Sequence, residues 1–431
     1  MDSVESRDAA HRVSEQVSEG ADIRADSRAS WRMAWLVLAI LSISYASPLV
    51  IVVGMKPMQE ALGTDRSVLA LAGSLVWVGT GSGGILMGWL ADRIGLRRTV
   101  SIGAFMIAGG LALSSLGSIW ALYVGHALLG FLGNGGVYPP LLVYVSRWFE
   151  RRRGAAIALI SSGQYVAGVV WPFVFERGMT TFGWQSVMLV YGIFALAVIL
   201  PATLFLKDPP KPAPVPVRRA GARTSERPRV AGLHPNMAQA LICLAGFCCC
   251  IPMSIPSAHI VAFCGDLGIK PTHGAAMLSL MLGCAFLSRQ AWGALADRVG
   301  GLRTVMAGSA CQAVAIALFL LTQDEAGLFF VSAAFGLGFA GIIPSYSVAV
   351  RDLFPASEAS WRMPLTLFTA MSGMAFGSWF AGALYDHFGY YAPAFGIAVI
   401  FNLLNLAIVG LLVWRTGGTG RTLVWPKRAM A

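Results

Sequence analysis

Twelve times along the chain an apolar run of about twenty residues recurs, the length a helix needs to cross a hydrocarbon core of roughly 30 Å. The runs occupy 32–54, 69–91, 99–117, 120–146, 154–175 and 184–206, then 238–263, 273–296, 303–322, 327–350, 363–385 and 391–414. Across 431 residues, 56% are hydrophobic and 12% charged. A water-soluble chain of that make-up could not cover its own core, since soluble domains carry about twice that charged share. Barrel strands would instead show alternating segments of about ten residues. Continuous runs such as Leu189–Leu206 exclude them. The sequence therefore predicts an all-α integral membrane protein.

The polar intervals divide it. Residues 1–31 are a polar tail of mixed charge without the apolar stretch of a cleavable signal. The segment 207–237, beginning KDPPKPAPVPVRR, is too rich in proline and charge to span a membrane, and it reads as an extended loop between two bundles, 32–206 and 238–414. A second tail covers 415–431.

The net charge of +11 would by itself suggest a nucleic-acid partner, but its distribution says otherwise. With the N-terminus in the cytoplasm, 27 of the 32 Lys and Arg fall on that side. Four fall opposite (Lys56, Arg66, Arg177, Lys270), and one, Arg289, falls within a span. The positive-inside rule then predicts both termini in the cytoplasm, with basic loops held against an anionic inner leaflet. A bacterial inner (plasma) membrane and a monomer are expected. The seven cysteines have neither zinc-ligand nor CxxC spacing and read as small apolar fillers, and no cofactor or metal is implied.

The halves repeat. Gly88, Asp92, Arg93 and Gly95 recur as Gly293, Asp297, Arg298 and Gly300, an offset of 205 that continues from Arg98-Thr99-Val100 to Arg303-Thr304-Val305. Pro140 and Arg147 recur at an offset of 204 as Pro344 and Arg351. Two six-helix halves of the same hand around a central site are a transporter plan. The motif Gly88, Asp92, Arg93, Gly95, Arg97 and Arg98 resembles the signature of the major facilitator superfamily, with the 293–303 segment as its weaker echo. The resemblance implies two pseudo-symmetric six-helix bundles that rock about a central cleft. It also implies a cytoplasmic latch in which Asp92 meets Arg147 and the start of the eleventh helix, with Asp297 and Arg351 as the mirror pair. The glycines at 88 and 95 are expected to permit close helix approach and a tight turn.

Arg289 lies eight residues before Asp297, so about 12 Å into the bilayer, too deep to reach water comfortably. Its repeat equivalent is Gly84, so the charge is one-sided, and all 21 acidic residues fall in tails, loops or helix ends. A buried cation without a protein anion invites a substrate anion, and guanidinium presents a planar fork matched to carboxylate. Together with Ser44-Tyr45-Ala46-Ser47-Pro48 and the Arg147–Ala156 stretch, Arg289 makes the chain similar to the monocarboxylate transporters and the oxalate/formate antiporters. It departs from them at Ala285, where the first group carries an acid, and at Leu49, where it carries a lysine. It also lacks the eleventh-helix lysine of the second group.

The resemblance implies a substrate cleft lined by Arg289, Tyr45, Asn134, Tyr138, Gln164, Tyr165, His259 and Gln290. The expected function is secondary active transport of a small organic anion, a monocarboxylate first, with a proton as co-passenger or a second anion in exchange. An efflux transporter for apolar or other small molecules is the alternative. No catalytic constellation is visible in the spans, so an enzyme is not expected.

Overall fold

A computed structural model describes residues 25–150, 152–210 and 230–418. Most of the N-terminal tail, Arg151, the middle of the central loop and the end of the C-terminal tail lie outside the described residues.

Among the described residues, twelve helices are long and apolar enough to cross a membrane. They are α1 (Arg28–Ala46), α2 (Arg66–Ile94), α3 (Leu96–Ser114), α4 (Ile119–Trp148), α5 (Arg153–Phe182) and α6 (Trp184–Leu204). After the central loop come α7 (Pro235–Asp266), α8 (Pro271–Val299), α9 (Gly301–Leu321), α10 (Glu325–Leu353), α11 (Trp361–Phe388) and α12 (Ala392–Thr416). The first apolar run is not one helix. Pro48, which has no N–H to continue the ladder, starts a separate turn at Leu49–Val53, and Gly54 then separates Met55–Leu62.

Small residues let backbones meet inside the first bundle. A Cβ on Gly83 would sit 1.8 Å from the carbonyl oxygen of Phe131, and one on Gly79 2.7 Å from the Phe131 nitrogen. Opposite these glycines α4 widens into a π-turn over Leu129–Asn134. Such turns often mark functional positions, because the extra residue re-aims the side chains beyond it.

The duplication is visible in the backbone. Gly95 (φ 89°) and Gly300 (φ 87°) each cap the following helix in a conformation that side chains rarely adopt. The expected close approach at the partner glycines is not found: a Cβ on Gly88 or Gly293 would meet nothing within 4 Å.

The two bundles meet along α2–α11 and α5–α8. The start of α1 and the end of α12 lie on one face, here called the terminal face. Hydrogen bonds between the bundles, among the described residues, start at the opposite face and reach inward only to Ser74 Oγ, which donates to the carbonyl of Ala375 at 2.6 Å. The molecule is thus closed on the opposite face. Toward the terminal face an open apolar recess of about 510 Å³ is lined by Ser82, Ile85, Leu86 and Trp89 of α2 and Phe368 of α11.

Candidate functional site

Arg289 is carried on α8, ten residues before its end, and is 8% exposed. Its Nε has no hydrogen-bond partner, and no acid pairs with it among the described residues. The guanidinium lies over the ring of Tyr165, 5.3 Å from the centroid, and so faces α5 of the other bundle. Beside this contact α5 and α8 pack tightly, since a Cβ on Gly168 would fall 2.0 Å from Leu282.

Tyr45, at the end of α1, meets Tyr138 of α4 edge-on at 5.2 Å. Tyr45 and Tyr165 both lie within electrostatic reach of Arg289. Arginine and the three tyrosines therefore form one group drawn from both bundles. The π-turn ends at Asn134, which is buried; its Oδ1 accepts from Ser44 at 2.6 Å while its Nδ2 has no partner. Two buried donors without acceptors thus lie at mid-span, an arrangement that costs stability unless a ligand or water supplies the acceptor. Gln164 is half-buried beside Tyr165, and Gln290 is exposed.

His259 belongs elsewhere. It is fully buried, with Nδ1 2.9 Å from the Tyr391 hydroxyl and Nε2 2.8 Å from the Ser378 carbonyl. Tyr391 in turn accepts from Arg66 Nη1 at 3.1 Å, and Arg66 is ion-paired with Asp266. This network closes the opposite face. Arg66 is 2% exposed and also donates to Gln59 from Nε and Nη2, at 3.1 Å each. Tyr385 lies under its guanidinium at 3.8 Å. Lys56 donates to the Gly265 carbonyl at 2.9 Å.

Sequence reasoning placed Arg66 among the loop charges and missed this role. One signal was available: a cation at the start of a helix opposes the helix dipole, and so needs a partner from elsewhere.

The family model of the Major Facilitator Superfamily matches residues 34–288 and again 242–423. The chain belongs to the major facilitator superfamily. It is a membrane transporter of that superfamily and not an enzyme.

Among superfamily members, "Monocarboxylate transporter 13" of Bos taurus is 27% identical over 325 residues, 74% of each chain. "MFS-type transporter 1" of an Ophiocordyceps species is 24% identical over 299 residues, 68% of this chain and 64% of that one. The uncharacterized MFS-type transporter YcxA of Bacillus subtilis is 22% identical over 82% of this chain and 88% of its own. Two solved structures share the fold. A bacterial homolog of the lysosomal transporter Spinster aligns with a TM-score of 0.67 at 14% identity, over 89% of this chain and 96% of that one. A POT family transporter in complex with 5-aminolevulinic acid aligns with a TM-score of 0.69 at 13% identity, over 90% and 97%.

The superfamily signature lies at the terminal face. Asp92 and Arg147 are 3.7 Å apart and both exposed. Arg93 stacks on Trp89 at 3.9 Å, and Arg97 donates to the Leu206 carbonyl from Nε at 2.8 Å. Arg98 shares with Asp92 and Arg147 the rim of a cavity of about 670 Å³.

The mirror half is arranged differently. No ion pair joins Asp297 to Arg351 among the described residues. The neighbouring Asp352 instead accepts the N–H of Gly301 at 3.0 Å and caps α9. Asp297, Arg298, Arg303 and Arg351 are all exposed. Nor does any hydrogen bond join Asp92 to α11 among the described residues.

Proposed function

We propose that the chain carries a small organic anion, a monocarboxylate first, across the membrane by alternating access, with Arg289 as the anion anchor. The charge distribution supports assigning the terminal face to the cytoplasm, so that the opposite face is the outer one. The observation that carries the reading is the buried Arg289 guanidinium, unpaired at Nε, between two bundles that must move past each other. A cation at that depth costs at least about 2.5–3.5 kcal/mol if unpaired, so a carboxylate that neutralises it gains binding energy there.

Tyr45, Tyr138 and Tyr165 supply apolar faces and hydroxyl donors around the anchor. Asn134 Nδ2 supplies a further donor. Leu49 and an eleventh helix without lysine leave this group with a single cation, which favours one carboxylate over two. The bovine relative named as a monocarboxylate transporter supports the same class. Loading neutralises the cleft, and the bundles then rock so that the outer network opens as the cytoplasmic side closes. Proton symport and exchange of one anion for another both fit this cycle.

The test is uptake of a panel of radiolabelled mono- and dicarboxylates into proteoliposomes, with and without a pH gradient. Saturable monocarboxylate uptake that is lost in Arg289→Ala, with that variant still folded and inserted, is expected. Retained carboxylate uptake in Arg289→Ala would remove the anchor. Transport of neutral or cationic compounds alone would favour efflux of other small molecules.

A further inference from the structure

We propose that His259 is a proton-binding site that controls the outer gate: protonation of its imidazole favours opening, and deprotonation favours the closed arrangement. The inference is independent of which substrate the cleft takes.

The argument is one of donors and acceptors. The Ser378 carbonyl can only accept, so the proton between it and His259 sits on Nε2. Tyr391 Oη accepts from Arg66 Nη1 and so can donate its own proton to Nδ1. Arg66, Tyr391 and His259 then each donate once in the same direction, ending on the Ser378 carbonyl, and the line is complete only while Nδ1 is bare. A second proton, on Nδ1, would reverse the link between Tyr391 and His259. Tyr391 would have to accept from both Arg66 and His259, and its own O–H would lose its acceptor. The imidazolium would also stand one hydroxyl away from a guanidinium, in a site with no exposure to solvent.

The charged and titratable groups around His259 offer no compensation. From α7 itself there is Asp266, already engaged by Arg66 and Lys56. From α11 there is Asp386, which accepts the Arg66 and Ser67 N–H groups, and Tyr385, which lies under the Arg66 guanidinium. The stretch before α12 contributes Tyr391, and α2 contributes Arg66. Both carboxylates are committed to holding the gate, so the closed form binds the extra proton poorly. In the open form Arg66 leaves with its own bundle, so Tyr391 no longer accepts from it and is free to accept from the imidazolium, which water can also solvate. A ligand that binds one of two states more tightly shifts the population toward that state, and here the ligand is the proton. Acidification of the outer solution is thereby converted into opening of the outer face.

The test measures gate opening directly. Spin labels at Glu60→Cys and Lys270→Cys, with the seven native cysteines replaced, report the distance between the outer ends of the two bundles in nanodiscs. In the His259 protein the long-distance population is expected to rise about threefold or more between about pH 8 and pH 5.5, which bracket the ordinary imidazole value near 6.5. His259→Gln keeps one acceptor and one donor but cannot take up the proton, and is expected to hold its pH 8 distribution throughout. A pH-insensitive parent, or a dependence that survives in His259→Gln, would overturn the proposal, the second by pointing to Asp266 or Asp386. Should the cysteine-replaced protein fail to fold, amide exchange over residues 55–70 in the full chain with its native cysteines gives the same readout. There, faster exchange at low pH, corrected for intrinsic rates, must be abolished by His259→Gln.

Discussion

Asp386, at the end of α11, caps the helix that begins at Arg66 in the other bundle. Its two carboxylate oxygens accept the N–H groups of Arg66 and Ser67 at 2.8 Å each. The first N–H groups of a helix have no partner within it, and Asp65, which precedes α2, supplies no side-chain cap. One bundle thus completes a helix of the other, and can do so only while the face opposite the terminal one is closed.

Replacing this cap should move the gate rather than unfold a bundle. Asp386→Ala is expected to cost the closed form about 1 kcal/mol, enough to raise the open fraction roughly fivefold. The distance between labels on the outer ends of the bundles measures it, and the midpoint of thermal unfolding should change far less than for a core substitution.

Removing one member of the Arg66–Asp266 pair should be worse than removing both. Asp266→Leu leaves a buried guanidinium without its carboxylate, a loss of about 3–5 kcal/mol of closed-state stability. The double variant Arg66→Met, Asp266→Leu should recover a large part of it. Thermal melts in detergent, arranged as a double-mutant cycle, check this; additive losses would contradict it.

Arg289→Lys keeps the charge but loses the planar fork and the face that stacks on Tyr165. Uptake should persist with KM raised about tenfold, equivalent to about 1.4 kcal/mol, while Arg289→Ala shows none. Equal KM for the lysine variant and the parent would mean that only net charge matters at this position.

Two glycines of α2 should behave in opposite ways. At Gly83 an added methyl would collide with the Phe131 carbonyl at 1.8 Å, so Gly83→Ala must push α4 away and should lower stability by about 1–3 kcal/mol or more. At Gly88 the methyl meets open space, and Gly88→Ala should leave the melting temperature of the closed-outer form unchanged. Comparison of the two melts checks the packing.

Much of the architecture was legible because it follows from solvent. Apolar length gave twelve spans, and the 205-residue offset gave the duplication, which reappears as matching backbone angles at Gly95 and Gly300. The oddity of Arg289 was equally visible, since a charge within an apolar run needs no partner to be noticed. What depended on distant pairing was hidden. Arg66 meets residues 200 and 325 positions away, and no local pattern announces Asp266 or Tyr391. His259 was read as a cleft residue because its helix lines the cleft; its side chain instead turns to Tyr391 and Ser378. The Asp297–Arg351 pair was inferred from the repeat, but the halves diverge there, and Asp352 caps α9 on its own.

The lone guanidinium of Arg289 has an electrical consequence. An empty site carries a net positive charge into the middle of the membrane, while a site holding a monoanion carries none. Where the anion travels without a proton, voltage should therefore act on the reorientation of the unloaded protein and hardly on the loaded step, with up to about 2.3 kcal/mol per 100 mV available to it. Voltage jumps on the reconstituted protein should evoke transient charge movements in the absence of substrate. Those transients should fade as a saturating monocarboxylate is added and be missing from Arg289→Ala; transients that persist at saturation would place the moving charge elsewhere. The membrane potential would then set the rate of cycling through the one step in which nothing is carried.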